Sequence, residues 1–377
     1  MHIAFLTSEY PPLLTGGIGT SISNLARAMV GQGHKVTVIG SGHEANFDDQ
    51  GVSVRFFGHT SVPKMGWFLN RWTIQVELDR LIHDEHVDIV EAHDWCGVSA
   101  GLRAPCPIVI RCHGSATYFA HLLNEKVRPS VRWAEGMALR QADNVAAVSR
   151  FTAGITHQLF RLANPVSVLP NSIDISQFDP AAEGEIEEDT ILYLGTLVRK
   201  KGVLDLSRIF SLVVEKRPQA RLWLVGRDTT DKQTGAASTW SLCRDLLSPA
   251  ALKRVEYFGP QPYEKVHEYV RKASLCIFPS YAEAFPLAWL EAMACAKPVI
   301  AYDVGWAPEV IESGSSGMLS PLGNLECFAQ MINAMLSDRE QRSRLGLAAR
   351  QRVESLFASD VAAQESVRWY QKVLEAR

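Results

Sequence analysis

Short apolar runs alternate with amphipathic stretches along most of the chain, an order that predicts parallel sheets crossed by helices. The first run is residues 2–6, followed by a glycine-rich loop, a helical pattern over 19–30, the pair Gly33-His34 and a second apolar run over 35–39. That is the opening βαβ unit of a parallel sheet. Further β-rich runs at 52–56, 88–91, 108–111, 144–148 and 166–169 are separated by helical patterns such as 131–141. Residues 1–172 therefore read as one Rossmann-like domain.

Residues 179–189 are polar and acidic, carry Pro180 and Gly184, and show no periodic apolar face. They read as an interdomain linker. A second alternating set follows, with strands predicted at 191–194, 221–225, 254–258, 275–278 and 298–301 and a helical tail after Leu325. The expected fold is α/β, two tandem doubly wound domains, the second spanning 188–357, facing a central cleft. Doubly wound sheets bind ligands beyond the C-terminal ends of their strands, so candidate residues should follow strands.

Composition narrows the function. A chain of 377 residues has material for two cores, and a formal net charge of −3 gives no broad basic field for nucleic acid. The seven cysteines include no C-x-x-C pair, which points to reduced thiols and no zinc site. Glu9 interrupts the N-terminal apolar run, and no apolar segment reaches the length of a membrane span. A cytoplasmic enzyme is expected, with any membrane contact peripheral at the inner face.

The richest stretch is 278–300. A strand ends, Glu283 sits in the loop, and a helix begins near Pro286. The helix start is suited to an anion such as a pyrophosphate, with Phe285 and Leu287 as candidate backbone donors. Glu291 lies about two turns along, too far from Glu283 for a tight acid–base pair, so separate hydroxyl-binding roles fit better. By spacing alone, a helix-terminal charge and an ordinary surface glutamate account for the two carboxylates equally well.

The surrounding letters resemble retaining glycosyltransferases of family 4, which have the GT-B fold. Glu283 and Glu291 match that family's E-x7-E motif, and 291–300 matches its E-A-M-A-x-G-K-P-V-I segment, with Ala296 in place of glycine. The resemblance implies that Glu283 binds donor-sugar hydroxyls and Glu291 the nucleotide ribose. Residues 195–202 resemble the family's G-R-L-V-x-x-K-G loop, implying that Lys201 neutralises the donor diphosphate. Thr196 replaces the arginine of that loop.

In the first domain, Gly16 and Gly17 resemble the family loop that lets backbone approach the donor; close packing of turn and helix, the plain alternative, explains Gly19 but less readily Gly16 and Gly17. His113, in Arg111-Cys112-His113-Gly114, resembles the histidine that lies beside the transferred sugar. His93 and Asp94 follow a strand and are acceptor-side candidates. Trp306 stands at a second-glycine position of a D-x-G-G-x-x-E turn. The resemblance extends from Ile3 to about Leu319. It further implies that a helix at about 358–377 packs back onto the first domain.

The implied activity is retaining transfer of a sugar from a nucleotide-diphosphate sugar, UDP-sugars being the commonest, to a glycan, lipid-linked or small-molecule acceptor. Polysaccharide or glycoconjugate biosynthesis is the implied setting. Lys201, Glu283 and His113 would act in catalysis, with neither metal nor separate cofactor. Rival readings are a GT-B-like nucleotide-sugar epimerase, a nicotinamide-dependent oxidoreductase, and a non-catalytic nucleotide-sugar binder favoured by Thr196 and Trp306. Residues 64–72 mix basic and aromatic side chains, a composition for peripheral membrane contact or for a helix lining the acceptor site.

Overall fold

The structure, a computed structural model, describes residues 1–13, 16–62, 65–182 and 184–377. The chain divides into two compact units, one of Met1–Ile173 with Ala358–Arg377, the other of Asp174–Phe357.

The first unit is built on an eight-stranded sheet: β1 His2–Thr7, β2 Lys35–Gly42, β3 Ala45–Asp49, β4 Val52–Gly58, β5 Ile89–His93, β6 Ile108–Cys112, β7 Asn144–Ala147 and β8 Ser167–Val168. Their order across the sheet is β3-β4-β2-β1-β5-β6-β7-β8, and β3 pairs antiparallel with β4. The apolar pattern misses β3 because Ala-Asn-Phe-Asp-Asp offers no continuous apolar side, which an edge strand tolerates.

Successive residues of a strand point to opposite faces, and β1 shows what each face buries. Ile3 and Phe5 pack with Ile22, Leu25 and Met29 of the helix Gly17–Gly31 and with Ala363, Val367 and Tyr370 of the helix Ser359–Glu375. Ala4 and Leu6 face the other way, toward Leu78 and Leu81 of the helix Gly66–Glu85 and Leu139 of Pro129–Gln141. The C-terminal helix is thus part of the first unit's core. Its polar residues are also anchored there. Arg111 donates to Glu91 Oε1 and Oε2 at 2.9 and 3.0 Å and to Ser366 Oγ at 2.9 Å, while Tyr370 Oη donates to Glu91 Oε2 at 2.6 Å. Charges this deeply buried persist only when paired and hydrogen-bonded, as these are.

The second unit has six strands: β9 Thr190–Leu194, β10 Arg221–Val225, β11 Val255–Gly259, β12 Leu275–Phe278, β13 Val299–Asp303 and β14 Met318–Pro321. They run parallel in the order β11-β10-β9-β12-β13-β14. β14 escaped the sequence reading because it is short and ends in proline, which suits only an edge.

The reading of 179–189 as a linker is corrected. The acidic side chains are stitched to basic residues of the second unit: Glu185 to Arg271 at 2.6 Å, Glu187 to Arg221 at 3.0 Å, Glu188 to Arg342 at 2.5 Å, and Asp189 to Arg217. Glu187 N also donates to Lys272 O at 2.8 Å. Absence of an apolar face was a poor sign of freedom, because this segment is held by charge. Glu183 lies outside the described residues.

Candidate active site

Each sheet has one place where the strand order reverses direction, and ligands of doubly wound sheets bind in the crevice there. In the second unit the reversal falls between β9 and β12. The loops that leave these two strands carry Lys201 and Glu283. In the first unit it falls between β1 and β5, whose following residues include Glu9, Gly16 and Gly17 on one side and His93 and Asp94 on the other.

Several contacts fix the two loops of the second unit against one another. Gly202 has φ +69°, and a Cβ there would lie 1.7 Å from Pro279 O, so glycine is required for the approach. Lys200 O accepts from Tyr281 N at 2.8 Å and from Ala282 N at 3.3 Å. Tyr281 Oη donates to Asp205 on the helix Val203–Lys216, an acceptor that Tyr302 Oη shares at 3.1 Å. Lys201 Nζ then pairs with Glu283 Oε1 at 2.9 Å, both groups partly screened from water. A Cβ on Gly195 would stand 3.4 Å from both Lys201 Nζ and Tyr193 Oη, which places the end of β9 directly beside the ammonium.

Glu291 lies on the helix Leu287–Ala294, with Pro286 as its N-cap. It is buried, which removes the reading of an ordinary surface glutamate. Burial pushes its carboxyl up to about 7, against the opposing effects of a hydrogen bond from Tyr263 and the charge of Lys201. Tyr263 opens the helix Tyr263–Lys272 and carried no sequence signal, since a tyrosine at a helix start is common. The Phe285 ring is buried against Phe357, with centroids 5.3 Å apart, so only its backbone is a candidate donor-binding group. Leu287 stands in the first helical turn, where amides have no intrahelical acceptor.

Arg199 does not stand in for the missing arginine. It donates to Asp231 Oδ1 and Oδ2 at 2.6 and 3.0 Å, and that guanidinium holds the Asp231 carboxyl well below the usual carboxylate range. Thr196 contributes its carbonyl, which accepts from Tyr193 Oη at 3.0 Å. Trp306 is fully buried in the second unit, so its bulk is taken up by the core.

The crevice of the first unit is different in chemistry. Gly16 caps the helix Gly17–Gly31, and a Cβ on it would fall 2.2 Å from Glu9 Oε2. A Cβ on Gly19 would lie 2.9 Å from Glu9 Cβ, and the Gly19 N–H donates to that carboxylate at 3.4 Å. Packing on Glu9 therefore accounts for Gly16 as well as Gly19, while the space beside Gly17 is open. Leu14 and Thr15 of this loop lie outside the described residues.

His93 and Asp94 are both buried. His93 Nε2 accepts from Ser8 N at 3.3 Å, and burial lowers the imidazole to about 4. Asp94 Oδ1 accepts from His113 N at 2.9 Å, and burial raises the carboxyl to about 7. His113 is held far below the usual histidine range, first by burial and then by the nearby charge of Arg111, with Asn171 hydrogen-bonded to the ring. Among the described residues His93 Nδ1, Asp94 Oδ2 and His113 Nδ1 have no hydrogen-bond partner. Buried polar atoms are nearly always paired, so three together mark a place where water or a ligand hydroxyl belongs.

Two Rossmann-like units, each with candidate ligand-binding groups beyond its strand ends, are the architecture of the GT-B fold. The sequence agrees. Residues 15–177 match the family described as Glycosyltransferase Family 4 and residues 176–352 the family described as Glycosyl transferases group 1. The chain belongs to the family 4 glycosyltransferases.

It is 26% identical to alpha-maltose-1-phosphate synthase of Mycolicibacterium smegmatis, the match covering 99% of this chain and 100% of that protein. The fold resembles sucrose-phosphate synthase from Thermosynechococcus elongatus, with a TM-score of 0.83 and 21% identity over 100% of both chains. It also resembles Anabaena HepE in complex with UDP and glucose, with a TM-score of 0.77 and 20% identity over 99% of this chain and 100% of that one. Among the described residues no three or more His, Cys, Asp or Glu are grouped to hold a metal ion, and no helix is long and apolar enough to cross a membrane.

Proposed function

We propose that this glycosyltransferase takes its sugar from a nucleoside-diphosphate sugar bound to the second unit, and transfers it with retention of anomeric configuration. The observation that carries this reading is the Lys201–Glu283 pair at the β9/β12 switch, with buried Glu291 on the helix that follows. Lys201 and the amides at the start of Leu287–Ala294 offer positive potential for a diphosphate. Glu283 accepts from hydroxyls of the sugar and Glu291 from those of the ribose. The nucleotide is proposed to be UDP, the one bound in the HepE structure.

In the reaction the bond between the anomeric carbon and the phosphate oxygen breaks. A bond to the acceptor oxygen forms on the same face of the sugar. The acceptor proton passes to the departing phosphate, and Lys201 stabilises the charge that builds there. This division of labour assigns the neutralising role to protein groups and calls on no metal. In the first unit, His113 supplies a neutral ring nitrogen for a sugar hydroxyl, and His93 and Asp94 serve the acceptor side. The acceptor is a hydroxyl of a glycan, a lipid-linked sugar or a small molecule. Any relation to a membrane is peripheral, at its cytoplasmic face.

Melting curves with UDP, GDP, ADP, CMP and NAD, taken without added metal, test the donor class, because selective binding raises Tm by mass action. Stabilisation by one nucleoside diphosphate, lost in Glu291→Ala, supports the reading. Stabilisation by NAD alone overturns it. Full transfer by folded Lys201→Ala and Glu283→Ala variants would remove these residues from the mechanism.

A further inference from the structure

Large apolar side chains at the surface are concentrated in one part of the first unit. Met65, Phe68 and Trp72 are 56%, 67% and 68% exposed, and fall at helical spacing on the outer side of Gly66–Glu85. Trp133, 56% exposed on the helix Pro129–Gln141, joins them through Trp67, whose ring centroid lies 6.1 Å away. A contiguous apolar patch on a folded protein marks an interaction surface.

The polar groups within it are already engaged. Asn70 bonds to Thr60 N and O, and Arg71 donates to Gly97 O and Ala100 O while lying 3.7 Å over the Trp67 ring. Gln75 is joined to Asp79 and to the backbone of Arg103. Recognition of a glycan calls for unengaged planar polar side chains beside the rings, and these are committed elsewhere. Charge gives the second constraint. Residues 65–76 and 126–134 contain Arg71, Lys126, Arg128 and Arg132 but no carboxylate, and the last three cations are exposed. Glu77 and Glu125 stand at the edges of these segments, and Glu135, next after Ala134, is fully buried. Lys64 lies outside the described residues.

We propose that this patch is a membrane-docking surface, on which Phe68, Trp72 and Trp133 enter the interfacial layer of an anionic bilayer while Lys126, Arg128 and Arg132 meet lipid phosphates. Aromatic rings favour that layer, and each cation near an anionic leaflet adds to the attraction. The inference gives the peripheral contact proposed above a surface and a lipid charge. It rests on that contact alone and is independent of the donor assignment.

The test is flotation of the full chain with vesicles of phosphatidylcholine, with and without 30% phosphatidylglycerol (a mixture of about that anionic content is the probe). Binding to the anionic vesicles is expected, weakened by high salt and reduced about tenfold or more by the double variant Phe68→Ser, Trp72→Ser, consistent with loss of two exposed rings that the bilayer would bury. Circular dichroism and the UDP-induced shift in Tm should be unchanged in that variant, which separates failure of docking from failure of the donor reading. A second variant, Lys126→Glu with Arg132→Glu, should weaken binding at low salt with the aromatics intact. Absence of binding to anionic vesicles, or binding that the double aromatic variant leaves intact, overturns the proposal. So does light scattering that shows a dimer which the aromatic variant turns into a monomer, since the patch would then serve a second copy of the chain.

Discussion

The two switch points obey one topological rule and end with opposite electrostatics. At β9/β12 a full ion pair survives, Lys201 with Glu283, on loops that leave both groups in partial contact with water. At β1/β5 burial dominates: His93 and His113 are held unprotonated, and Asp94 is raised to about 7. Desolvation suppresses charge unless a partner or water opposes it. One crevice is therefore equipped for a charged ligand such as a diphosphate, and in the other burial keeps His93 and His113 neutral and Asp94 from full ionisation, which suits hydroxyl groups.

The sharpest way to break that contrast is Lys201→Ala. Removing a charge that meets the leaving group should lower kcat by about 100- to 1,000-fold, as loss of one preorganised stabilising group does elsewhere. Steady-state kinetics against the true acceptor check it, and a change in KM alone would place Lys201 outside the transition state.

Glu291 offers a test by pH. Ribose hydroxyls donate to the ionised carboxylate, and the free protein must lose a proton from a group near 7 to provide it. Nucleotide affinity should accordingly increase about tenfold from pH 6 to pH 8, with proton uptake by the buffer. Calorimetry in buffers of different ionisation enthalpy measures this, and Glu291→Gln should flatten the dependence.

His113→Ala should cost less, up to about tenfold in kcat, the worth of one neutral hydrogen bond. UDP affinity should be unchanged. A comparable loss of UDP affinity would contradict the division between the crevices.

The smallest effect concerns Ala296, which has φ +54° in the left-handed region. Replacing it with glycine relieves about 1–2 kcal/mol of backbone strain and adds about 0.5–1 kcal/mol of chain entropy to lose, for a net gain near 0.5 kcal/mol. Tm should rise slightly with kinetics unaltered.

Much of this was legible in the sequence. The apolar runs located most of the parallel strands, because buried strands carry side chains of one kind on both faces. Letters around Glu283 and Glu291 pointed to the second-unit residues, although spacing alone could not separate a buried Glu291 from a surface one. What the sequence concealed depends on pairing across distance. The clamp of Tyr281 on Asp205, the capture of Arg199 by Asp231 and the seating of Gly16 on Glu9 all join residues whose types are ordinary at their own positions. The acidic segment 179–189 misled for the same reason, since its arginine partners lie as far off as residue 342.

The return of the helix Ser359–Glu375 to the first sheet makes the second unit an insertion within the first. Ser359 N donates to Ile173 O at 3.0 Å, so the chain leaves and re-enters the first unit at neighbouring residues. On the ribosome the second unit is complete once Phe357 has emerged, whereas the first still lacks Ser366 and Tyr370, the hydroxyls that hold Arg111 and Glu91. The first unit is consequently the last to be completed, and a chain truncated before residue 366 and released would carry a complete insertion inside a host that lacks its closing contacts.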